Sequence, residues 1–389
     1  MDKPLRVGII GVGNRGAYLA QRVRETGLAT VVGGVDTSTE HTQRWMAYHK
    51  LDFPVTSSRE RLLADPSLDA VIVATPDDCH AADACAALRS GKAVFCEKPM
   101  AISIADCDAM LRTQQETGGL LRIGFNLRFH PVIQAMRDIA QSGDLGKLTS
   151  VWVRHFVGQG GNFYFHDWHS LRSRANSLLL QKATHDFDVI HFVSGRFTRR
   201  VVALGNRMYY GGDRPNDLTC PACDERFTCP ESMLDKDNPR RQCAFRSEID
   251  VEDNEMVMME MEDGILANYA QCHFTPDYQR SYVFIGTKGR VESFLKQYRR
   301  GHWQKEDRLE VLFRDRRPGR TYNFPNADDE GHGGADPLMI RDWIQSVQAR
   351  RPDVLNPVAG RQSVAVGCLA AQSLREGNAW QTIPPLPAG

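Results

Sequence analysis

The feature that most constrains this chain is a glycine-rich turn placed between a strand pattern and a helical pattern near residue 11. The turn reads Gly11-Val12-Gly13-Asn14-Arg15-Gly16 and follows the apolar run 5–10, which is typical of a buried strand. In this spacing the first glycine permits a sharp turn, the second lets backbone approach a pyrophosphate, and the third allows close helix–strand packing. The helix that follows offers N–H groups and a positive dipole end to phosphate. The turn therefore predicts a dinucleotide-binding fold.

An acidic residue at the end of the next strand pattern sharpens this prediction. The strand pattern 29–35 ends on Asp36, and Thr37 and Ser38 follow it rather than an arginine. A carboxylate at this place accepts hydrogen bonds from both ribose hydroxyls and repels a 2′-phosphate, which favours NAD over NADP. The alternative, that Asp36 is only a turn residue at a strand end, stays open.

Strand and helix patterns alternate through the first third of the chain. Strands are predicted at 70–74, 93–96 and 120–125, and helices at 17–25, 79–89 and 103–117. Such alternation indicates parallel βαβ units. Since 389 residues exceed what one hydrophobic core usually serves, we predict two domains, an α/β Rossmann domain over 1–126 and a second domain over 127–389.

Charge and hydropathy exclude several classes of protein. Lys plus Arg and Asp plus Glu both number 48, so the formal charge is zero and gives no electrostatic support for binding nucleic acid or an anionic membrane. No apolar run approaches the roughly 20 residues of a membrane helix, and no signal-peptide pattern opens the sequence. We therefore expect a cytoplasmic protein without a nucleic-acid or membrane partner.

Several short motifs follow the glycine turn in a characteristic order. They are Thr75-Pro76 with His80, Glu97-Lys98-Pro99 after a strand, Gly124-Phe125-Asn126-Leu127-Arg128-Phe129-His130-Pro131, and Gly331-His332-Gly333-Gly334-Ala335-Asp336. Together they resemble the Gfo/Idh/MocA family, the glucose–fructose oxidoreductase and inositol dehydrogenase group, over most of the chain. The resemblance implies an NAD-dependent oxidoreductase with a carbohydrate substrate, assembled as a homo-oligomer, either a dimer or a tetramer.

The resemblance also implies an α+β second domain with an open, mostly antiparallel sheet. The sequence agrees, because β-branched and apolar runs separated by turn residues occur at 148–156, 199–208, 255–262, 265–273 and 281–287. A helical pattern at 336–348 carries apolar residues at helical spacing, which indicates a core helix.

Carried over from the family, most cofactor contacts fall in the first domain. They are assigned to Gly11, Gly13, Asn14, Arg15, Gly16, Asp36, Thr75, Pro76, His80, Glu97, Lys98 and Asn126. The family places the lysine of Glu-Lys-Pro beside the substrate hydroxyl, so Lys98 is a predicted catalytic residue.

The second catalytic element of the family is an aspartate followed four residues later by a histidine on one helix. Here His185 matches the histidine, but Gln181 takes the place of the aspartate and Lys182 lies beside it. Glutamine cannot ionise, so the carboxylate–histidine relay is missing. We predict His185 as general acid/base, since histidine titrates near neutrality, with Lys182 on the same side.

A polar, aromatic stretch before this segment is the predicted substrate rim. Flat apolar faces combined with hydrogen-bond donors suit sugars. The predicted substrate residues are Arg128, His166, Trp168, His169, Arg172, Gln181 and Asp186. For Asp186, orienting substrate hydroxyls and capping surrounding structure are equal alternatives.

Two other functions remain open at this point. Some relatives in the family are glycosidases that hold NAD, oxidise a hydroxyl transiently and eliminate the aglycone. The third hypothesis is a non-catalytic sensor of dinucleotide or sugar.

Four cysteines crowd into the polar, proline-rich segment 211–246, which we interpret as an insertion. Cys220 and Cys223 form a C-x₂-C pair, and Cys229 and Cys243 follow. Four thiolates can enclose a structural zinc ion, but the later spacings match no zinc ribbon closely. Structural zinc, free thiols, and disulfides or an iron–sulfur cluster remain alternatives.

Overall fold

The computed structural model describes residues 3–158, 160–235, 238, 240–295, 297–299, 302–304, 306–325, 331–353 and 355–387. The chain divides into two compact units, and each is described by itself. The first comprises Met1–His130, Ala327–Val364 and Pro384–Gly389, and the second comprises Pro131–Asn326 and Ala365–Ile383.

The first unit is built on a parallel sheet of six strands. The strands are β1 (Leu5–Ile10), β2 (Ala29–Val35), β3 (Val55–Thr56), β4 (Ala70–Val73), β5 (Ala93–Cys96) and β6 (Leu121–Ile123). Their order is β3-β2-β1-β4-β5-β6, the doubly wound arrangement of dinucleotide-binding folds. The predicted Rossmann fold is confirmed.

Five helices connect these strands. They are α1 (Asn14–Thr26), α2 (Thr39–Tyr48), α3 (Arg59–Leu63), α4 (His80–Arg89) and α5 (Ile104–Thr117). Serine hydroxyls that accept backbone N–H groups begin α2, α3 and α5, as N-caps do. Left-handed Gly27 and Gly118 end α1 and α5, because glycine adopts positive φ without steric cost. The sequence patterns did not predict β3, α2 or α3, which are short or polar.

The second unit contains a nine-stranded sheet. Its strands are β7 (Leu148–Phe156), β8 (Thr198–Asn206), β9 (Asn254–Met261), β10 (Leu266–Cys272), β11 (Gln279–Gly286), β12 (Gly289–Phe294), β15 (Glu306–Phe313), β16 (Arg320–Pro325) and β17 (Gln381–Thr382). Two short strands, β13 (Gln297–Arg299) and β14 (His302–Gln304), form a separate hairpin. The order is β16-β15-β12-β11-β7-β10-β9-β8-β17, and among the strands that the structure describes only β7 and β10 pair in parallel. The predicted open, mostly antiparallel sheet is confirmed.

Within the described residues, four helices lie wholly in the second unit. They are α6 (Pro131–Gln141), α7 (Arg172–Ala175), α8 (Leu178–Gln181) and α9 (Thr184–Ser194). Helix α9 covers one face of the sheet, where Phe187 lies edge-on against Tyr269 of β10 with ring centroids 5.3 Å apart. Almost every side chain of α9 is buried, which explains why its sequence lacks an amphipathic pattern.

Two further helices, α10 (Gly331–Gln348) and α11 (Leu355–Arg375), follow the large sheet in sequence. Helix α10 belongs to the first unit, where Met339, Ile340 and Ile344 join the core and Trp343 packs edge-on against Phe95 at 5.5 Å. The predicted core role of this helix is thus seen, but in the first unit rather than in a domain spanning 127–389. An apolar helix face completes whichever core it covers, irrespective of its place in the sequence. The side chains of 331 and 332 lie outside the described residues.

Among the described helices, none combines the length and the apolar character needed to cross a membrane.

Candidate active site

The glycine turn between β1 and α1 has the geometry of a phosphate cradle. Gly11 has φ of +90°, and a Cβ on it would lie 2.6 Å from the backbone of Ala74. A Cβ on Gly16 would lie 1.9 Å from the carbonyl oxygen of Gly11, whereas a Cβ on Gly13 would meet nothing within 4 Å. Helix α1 starts with no side-chain cap and no acidic residue in its first turn, so its positive end is uncompensated by the protein. The exposed Asn14 begins this helix.

Asp36 lies directly after β2, half-buried at the carboxyl end of the strand. Its backbone N–H donates to the carbonyl oxygen of Thr56 at 3.1 Å, and its Oδ1 accepts from the backbone N–H of Ser38 at 2.9 Å. The carboxylate is therefore held at the strand end by the turn that follows. This is the place where a ribose-binding acid is expected.

Arg15, in the first turn of α1, pairs with two carboxylates that are distant from it in sequence. Its guanidinium donates to Glu97 at 2.8 Å and to both carboxylate oxygens of Asp336 at 3.0 and 2.9 Å. Asn126 adds a hydrogen bond to Asp336 at 3.0 Å. Burial alone would lower the pKa of Arg15, but Glu97 and Asp336 outweigh it and raise that pKa. Two predicted cofactor residues, Arg15 and Asn126, thus contact the fully buried carboxylate of Asp336, and a third, Glu97, is joined to them through Arg15.

His80 holds together the two motifs Thr75-Pro76 and Glu97-Lys98-Pro99. One ring nitrogen lies 2.7 Å from the carbonyl oxygen of Pro99 and the other 2.9 Å from that of Thr75. Only an imidazolium can donate to both acceptors. Burial lowers the pKa of His80, but the neighbouring Cys96, Asp77 and the Pro99 carbonyl outweigh it and raise the pKa to about 10.

Lys98 itself is half-buried, and its backbone N–H donates to Glu97 Oε2 at 3.1 Å. The peptide bond between Lys98 and Pro99 is cis. The side chain of Lys98 therefore starts from a backbone that Glu97, His80 and, through Glu97, Arg15 all hold in place.

In the second unit, Gln181 and His185 lie on successive helices instead of one. Helix α8 ends at Gln181 and α9 begins at Thr184. The backbone N–H of Ala183 bonds to the carbonyl oxygen of Leu178, five residues back, at 3.1 Å, which widens the turn and interrupts the helix. Gln181 and His185 are both buried, and Lys182 is half-buried with its Nζ 5.6 Å from the ring centroid of Tyr164.

Asp186, next to His185, is fully buried and held by a polar cluster. Its carboxylate accepts hydrogen bonds from the hydroxyls of Tyr269, at 3.0 Å, and Tyr282, and Arg280 pairs with it at 3.2 Å. Burial would raise the pKa of Asp186, but Arg280, His155 and Tyr282 outweigh it and hold that pKa below its usual range. The contacts agree with a structural role for Asp186, the second of the two alternatives derived from the sequence.

His155, on β7, lies 3.4 Å from the same carboxylate. Burial and the charge of Arg280 lower the pKa of His155 to about 3. The imidazole is therefore neutral, and its contact with Asp186 is a hydrogen bond rather than an ion pair.

These residues of the second sheet were not predicted as a site. Cross-strand pairing places Arg280, His155, Gln271 and Glu255 in one row across β11, β7, β10 and β9. The alternation of side chains along the strands could have revealed this row. On β7, His155 lies on the same face as the buried Val151 and Val153, and on β10, Gln271 lies on the same face as Ala267 and Tyr269. Polar residues at core-facing positions of a strand mark such a site.

The residues of the predicted substrate rim lie in two different local environments. Trp168 and His169 stack at 3.8 Å, and His169 Nδ1 contacts Asp167, which also pairs with Arg240 at 2.8 Å. His166 instead bonds to the carbonyl oxygen of Gln242, in the segment 211–246, and its buried ring has a lowered pKa.

The two predicted arginines of the rim lie in different units. Arg128 belongs to the first, with its guanidinium carbon 5.4 Å from the ring centroid of Phe125. Arg172 belongs to the second, where it pairs with Glu252 at 2.8 Å, and Glu252 also pairs with Arg375 at 2.7 Å. The ion pair with Glu252 therefore explains the position of the Arg172 side chain.

The four clustered cysteines do converge. Cys220, Cys223, Cys229 and Cys243 line one small cavity of about 20 Å³, and all four thiols are free. Burial raises the pKa values of Cys220 and Cys229. Within the described ranges, however, no three or more His, Cys, Asp or Glu side chains are arranged to hold a metal ion. Zinc therefore has no support from this arrangement and stays a prediction, which elemental analysis of purified protein can decide.

Comparison with known proteins gives matches over both units. The sequence model described as the oxidoreductase family with an NAD-binding Rossmann fold matches residues 5–125, and that of the GFO/IDH/MocA C-terminal domain matches residues 133–292.

Individual relatives share only a limited fraction of their sequence with this chain. YteT of Bacillus subtilis (strain 168), provisionally described as an oxidoreductase, is 28% identical over 77% of this chain and 78% of its own length. The 1,5-anhydro-D-fructose reductase of Ensifer adhaerens is 30% identical over 54% of this chain but only 63% of its own length. A levoglucosan dehydrogenase solved with NADH and levoglucosan superposes with a TM-score of 0.77 at 19% identity, covering 98% of this chain and all of that one. This last likeness shows the fold.

Proposed function

Because this chain belongs to the Gfo/Idh/MocA oxidoreductase family, we propose that it transfers hydride between a nicotinamide dinucleotide and a sugar, polyol or sugar derivative. The reacting group is a hydroxyl in one direction and a ketone in the other. The observation that carries the proposal is the phosphate cradle at Gly11, Gly13 and Gly16, joined through Arg15 to the Glu97-Lys98 segment. The names of two relatives, an anhydrofructose reductase and a levoglucosan dehydrogenase, support a carbohydrate substrate.

The proposed cofactor is NAD rather than NADP. The residues fit the dinucleotide, since a Cβ would fill the cradle at Gly11 and Gly16 and α1 presents an uncapped positive end. Asp36 at the end of β2 favours two ribose hydroxyls and repels a 2′-phosphate. Thr75, Pro76, His80, Glu97 and Asn126 complete the proposed cofactor side of the site.

When bound, the nicotinamide supplies the acceptor or donor of hydride. The chain's own part is to hold the substrate oxygen and move its proton. Lys98 hydrogen-bonds that oxygen and stabilises the negative charge that grows on it, while His185 accepts the proton in oxidation and returns it in reduction. Lys182 adds positive charge on the His185 side. Gln181 contributes hydrogen bonds only, which distinguishes this site from the aspartate–histidine pair of its family.

One experiment tests the proposal against both alternatives. Purified protein is incubated with NAD⁺ and a panel of sugars, polyols and aryl glycosides while NADH absorbance and aglycone release are recorded together. We expect NADH to form with at least one sugar or polyol. Aglycone release without net NADH would favour the glycosidase, and dinucleotide binding without either product would favour the sensor.

We also propose that the chain forms a homo-oligomer through the outer face of its large sheet. Large apolar side chains on this face are exposed: Trp152, Leu204, Met256, Met258 and Leu266, by 53–61%. Cross-strand pairing places Leu204 beside Met256, and Asn268 between Met258 and Trp152, so the five share one face. Monomers rarely expose contiguous apolar patches of this kind. A dimer or tetramer that buries this face accounts for it.

The proposed location is the cytoplasm. Among the described residues no disulfide joins any of the cysteines, as expected in a reducing compartment. Intact thiols in protein purified without reductant would agree with this location.

A further inference from the structure

The segment 211–246 is a part of the second unit to which the proposed oxidoreductase activity gives no role. Within it, Cys220 and Cys243 lie on two stretches of backbone that pair with each other. Thr219 and Gln242 form an isolated antiparallel bridge, and the N–H groups of the two cysteines each donate a hydrogen bond of 2.8 Å across it. Because side chains alternate along paired strands, both cysteine side chains leave the same face of this bridge.

The thiols of Cys220 and Cys243 also belong to one cluster. Together with the thiols of Cys223 and Cys229 they line a single cavity of about 20 Å³. Burial is the main cause that raises the pKa of Cys220, and among the neighbouring thiols the charge of Cys243 raises it most. This order indicates that Cys243 is the closest of the three thiols to Cys220.

The stretch 240–246 holds the segment 165–170, which carries part of the predicted substrate rim and is called the rim segment below. His166 and Gln242 bond to each other in both directions. The imidazole Nδ1 of His166 bonds to the carbonyl oxygen of Gln242, and the N–H of Gln242 donates to the carbonyl oxygen of His166 at 3.3 Å. The same imidazole nitrogen lies 3.9 Å from the sulfur of Cys220. The cysteine cluster therefore adjoins the rim segment directly.

Two arginines of the same stretch add further bonds to the rim segment. Arg240 pairs with the carboxylate of Asp167 at 2.8 Å. Arg246 is fully buried and donates to the carbonyl oxygen of Asp167 at 2.9 Å and to the hydroxyl of Ser170 at 2.6 Å. Its guanidinium also donates to the carbonyl oxygen of Cys243 at 3.1 Å. A displacement of Cys243 is thereby transmitted to the rim segment through a buried side chain.

Joining the two thiols requires the paired stretches to move. Diagonal neighbours across an antiparallel pair lie ~7–8 Å apart, whereas a disulfide usually joins Cα atoms ~5.5–6 Å apart. An S–S bond would draw Cys243 toward Cys220, and Gln242 and Arg246 would move with it. The contacts that hold the rim segment would then be lost or displaced.

We propose that Cys220 and Cys243 form a reversible disulfide when the protein meets a peroxide, and that this modification displaces the rim segment and weakens binding of the sugar. The inference rests on the proposed function only for the identity of the ligand as a sugar. Disulfides of this transient, regulatory kind are the ones found in reducing compartments.

The chemistry of the modification balances with hydrogen peroxide as oxidant. One thiolate attacks a peroxide oxygen, the O–O bond breaks, and a sulfenic acid forms with release of hydroxide. The second thiol then attacks the sulfur of the sulfenic acid, so that the S–S bond forms and water leaves. In sum, the two thiols lose two electrons and two protons, and the peroxide becomes two molecules of water. A dithiol reverses the step by thiol–disulfide exchange.

Oxidation of the full chain tests whether the bond forms. The protein is incubated with hydrogen peroxide at pH 8.5, since burial raises the pKa of Cys220 and the thiolate is the reacting form. Peptide mapping by mass spectrometry is expected to show a bridge between Cys220 and Cys243 that dithiothreitol removes. A different bridge or none would overturn the inference, and so would a stoichiometric metal ion in the purified protein, because it would occupy these thiols.

Hydrogen exchange tests the coupling to the rim segment without any substrate. The amides of residues 165–170 are expected to exchange faster in the oxidised than in the reduced protein. The same treatment should leave their exchange unchanged in Cys243→Ser, whereas the matched control Cys223→Ser should form the bridge and respond as wild type. Equal exchange in oxidised and reduced wild type would refute the coupling.

Kinetics with a sugar or polyol that yields NADH complete the test. Oxidation is expected to raise KM about five- to tenfold, as for the loss of roughly one hydrogen bond. The Kd for NADH should not change, because the proposed cofactor residues belong to the first unit. Cys243→Ser should lose the response and Cys223→Ser should keep it, and an unchanged KM in oxidised wild type would overturn the inference. If no sugar is turned over, the proposed function fails, while mapping and hydrogen exchange still decide the disulfide.

Discussion

Arg15 and Asp336, separated by 321 positions in sequence, form a bidentate ion pair with distances of 3.0 and 2.9 Å. Asp336 is fully buried, whereas the Arg15 side chain keeps 29% of its surface exposed. The pair connects the glycine turn to helix α10, which comes late in the chain but packs in the same unit. Glu97 shares the guanidinium, so one arginine orders the glycine turn, the Glu97-Lys98 segment and α10 together.

Removing the buried carboxylate of this pair should destabilise the first unit. We expect Asp336→Ala to lower the free energy of unfolding by about 3–5 kcal/mol, since it breaks a buried ion pair and leaves Asn126 without its acceptor. Denaturant unfolding followed by circular dichroism measures this change. Asp52→Ala at an exposed position is the matched control and should differ from wild type by less than about 0.5 kcal/mol. Equal midpoints for the two variants would refute the prediction.

Lys98→Ala should impair turnover far more than cofactor binding. Loss of the group proposed to stabilise charge on the substrate oxygen is expected to lower kcat by ~10²- to 10⁴-fold. The Kd for NADH, measured by nicotinamide fluorescence, should stay within a few-fold, and the exposed-site control Lys288→Ala should retain full turnover. Turnover of Lys98→Ala within a few-fold of wild type would show that Lys98 is not catalytic.

Asp36→Ala should relax the preference for NADH over NADPH. The variant loses hydrogen bonds to the ribose and the charge that repels a 2′-phosphate, so the ratio of the two Kd values should move toward NADPH by about tenfold. Fluorescence titration with both reduced cofactors measures it, with Thr37→Ala as the neighbouring control. No movement of the ratio would identify Asp36 as a turn residue only.

His80 should make stability depend on pH in the alkaline range. The pKa of His80 is raised to about 10 in the folded chain, against about 6.5 for an unfolded histidine, so above pH 6.5 the folded state binds the extra proton. This contribution is fully present below pH 6.5 and is lost as pH rises toward 10, with a slope of up to ~1.4 kcal/mol per pH unit.

Unfolding of wild type and His80→Asn at pH 6, 8 and 9.5 checks this dependence. The wild-type advantage should be largest at pH 6 and shrink at each step. Parallel curves across the three pH values would mean that His80 is not protonated in the fold.

A charge on the outer sheet face should dissociate the proposed oligomer. Met258→Asp places a carboxylate among the exposed apolar side chains of this face, where burial in an interface would leave it unpaired. Light scattering after size exclusion should show the monomer mass for this variant and a larger mass for wild type. Asp52→Ala should behave as wild type, and a monomeric wild type would contradict the assembly itself.

Many strands and helices of the fold could be predicted from local sequence patterns. The strands β1, β2, β5 and β7 have the predicted bounds because each is a β-branched, apolar run between breakers. Strand β3 has two residues and depends on pairing with β2, which no local pattern reveals. Helix α10 was predicted as a helix, but its membership of the first unit depends on contacts of Trp343 with Phe95, far away in sequence.

Candidate site residues could be proposed from the sequence where they belong to short motifs. The roles proposed for the glycine turn, Asp36 and Glu97-Lys98-Pro99 each follow from a few adjacent positions. The cluster around Asp186 depends instead on strand register, because Arg280 and His155 become neighbours only through the pairing of β11 with β7. Register is set by the whole sheet and cannot be deduced from one strand.

The return of α10 to the first unit has a consequence for biosynthesis. The core around Phe95 lacks Trp343 until nearly 350 residues have been translated, so a nascent chain that has emerged only as far as β6 exposes an unfinished apolar surface. The N-terminal unit of this chain is therefore expected to mature after, rather than before, the large sheet has been made, and a fragment ending near residue 130 should aggregate instead of folding alone.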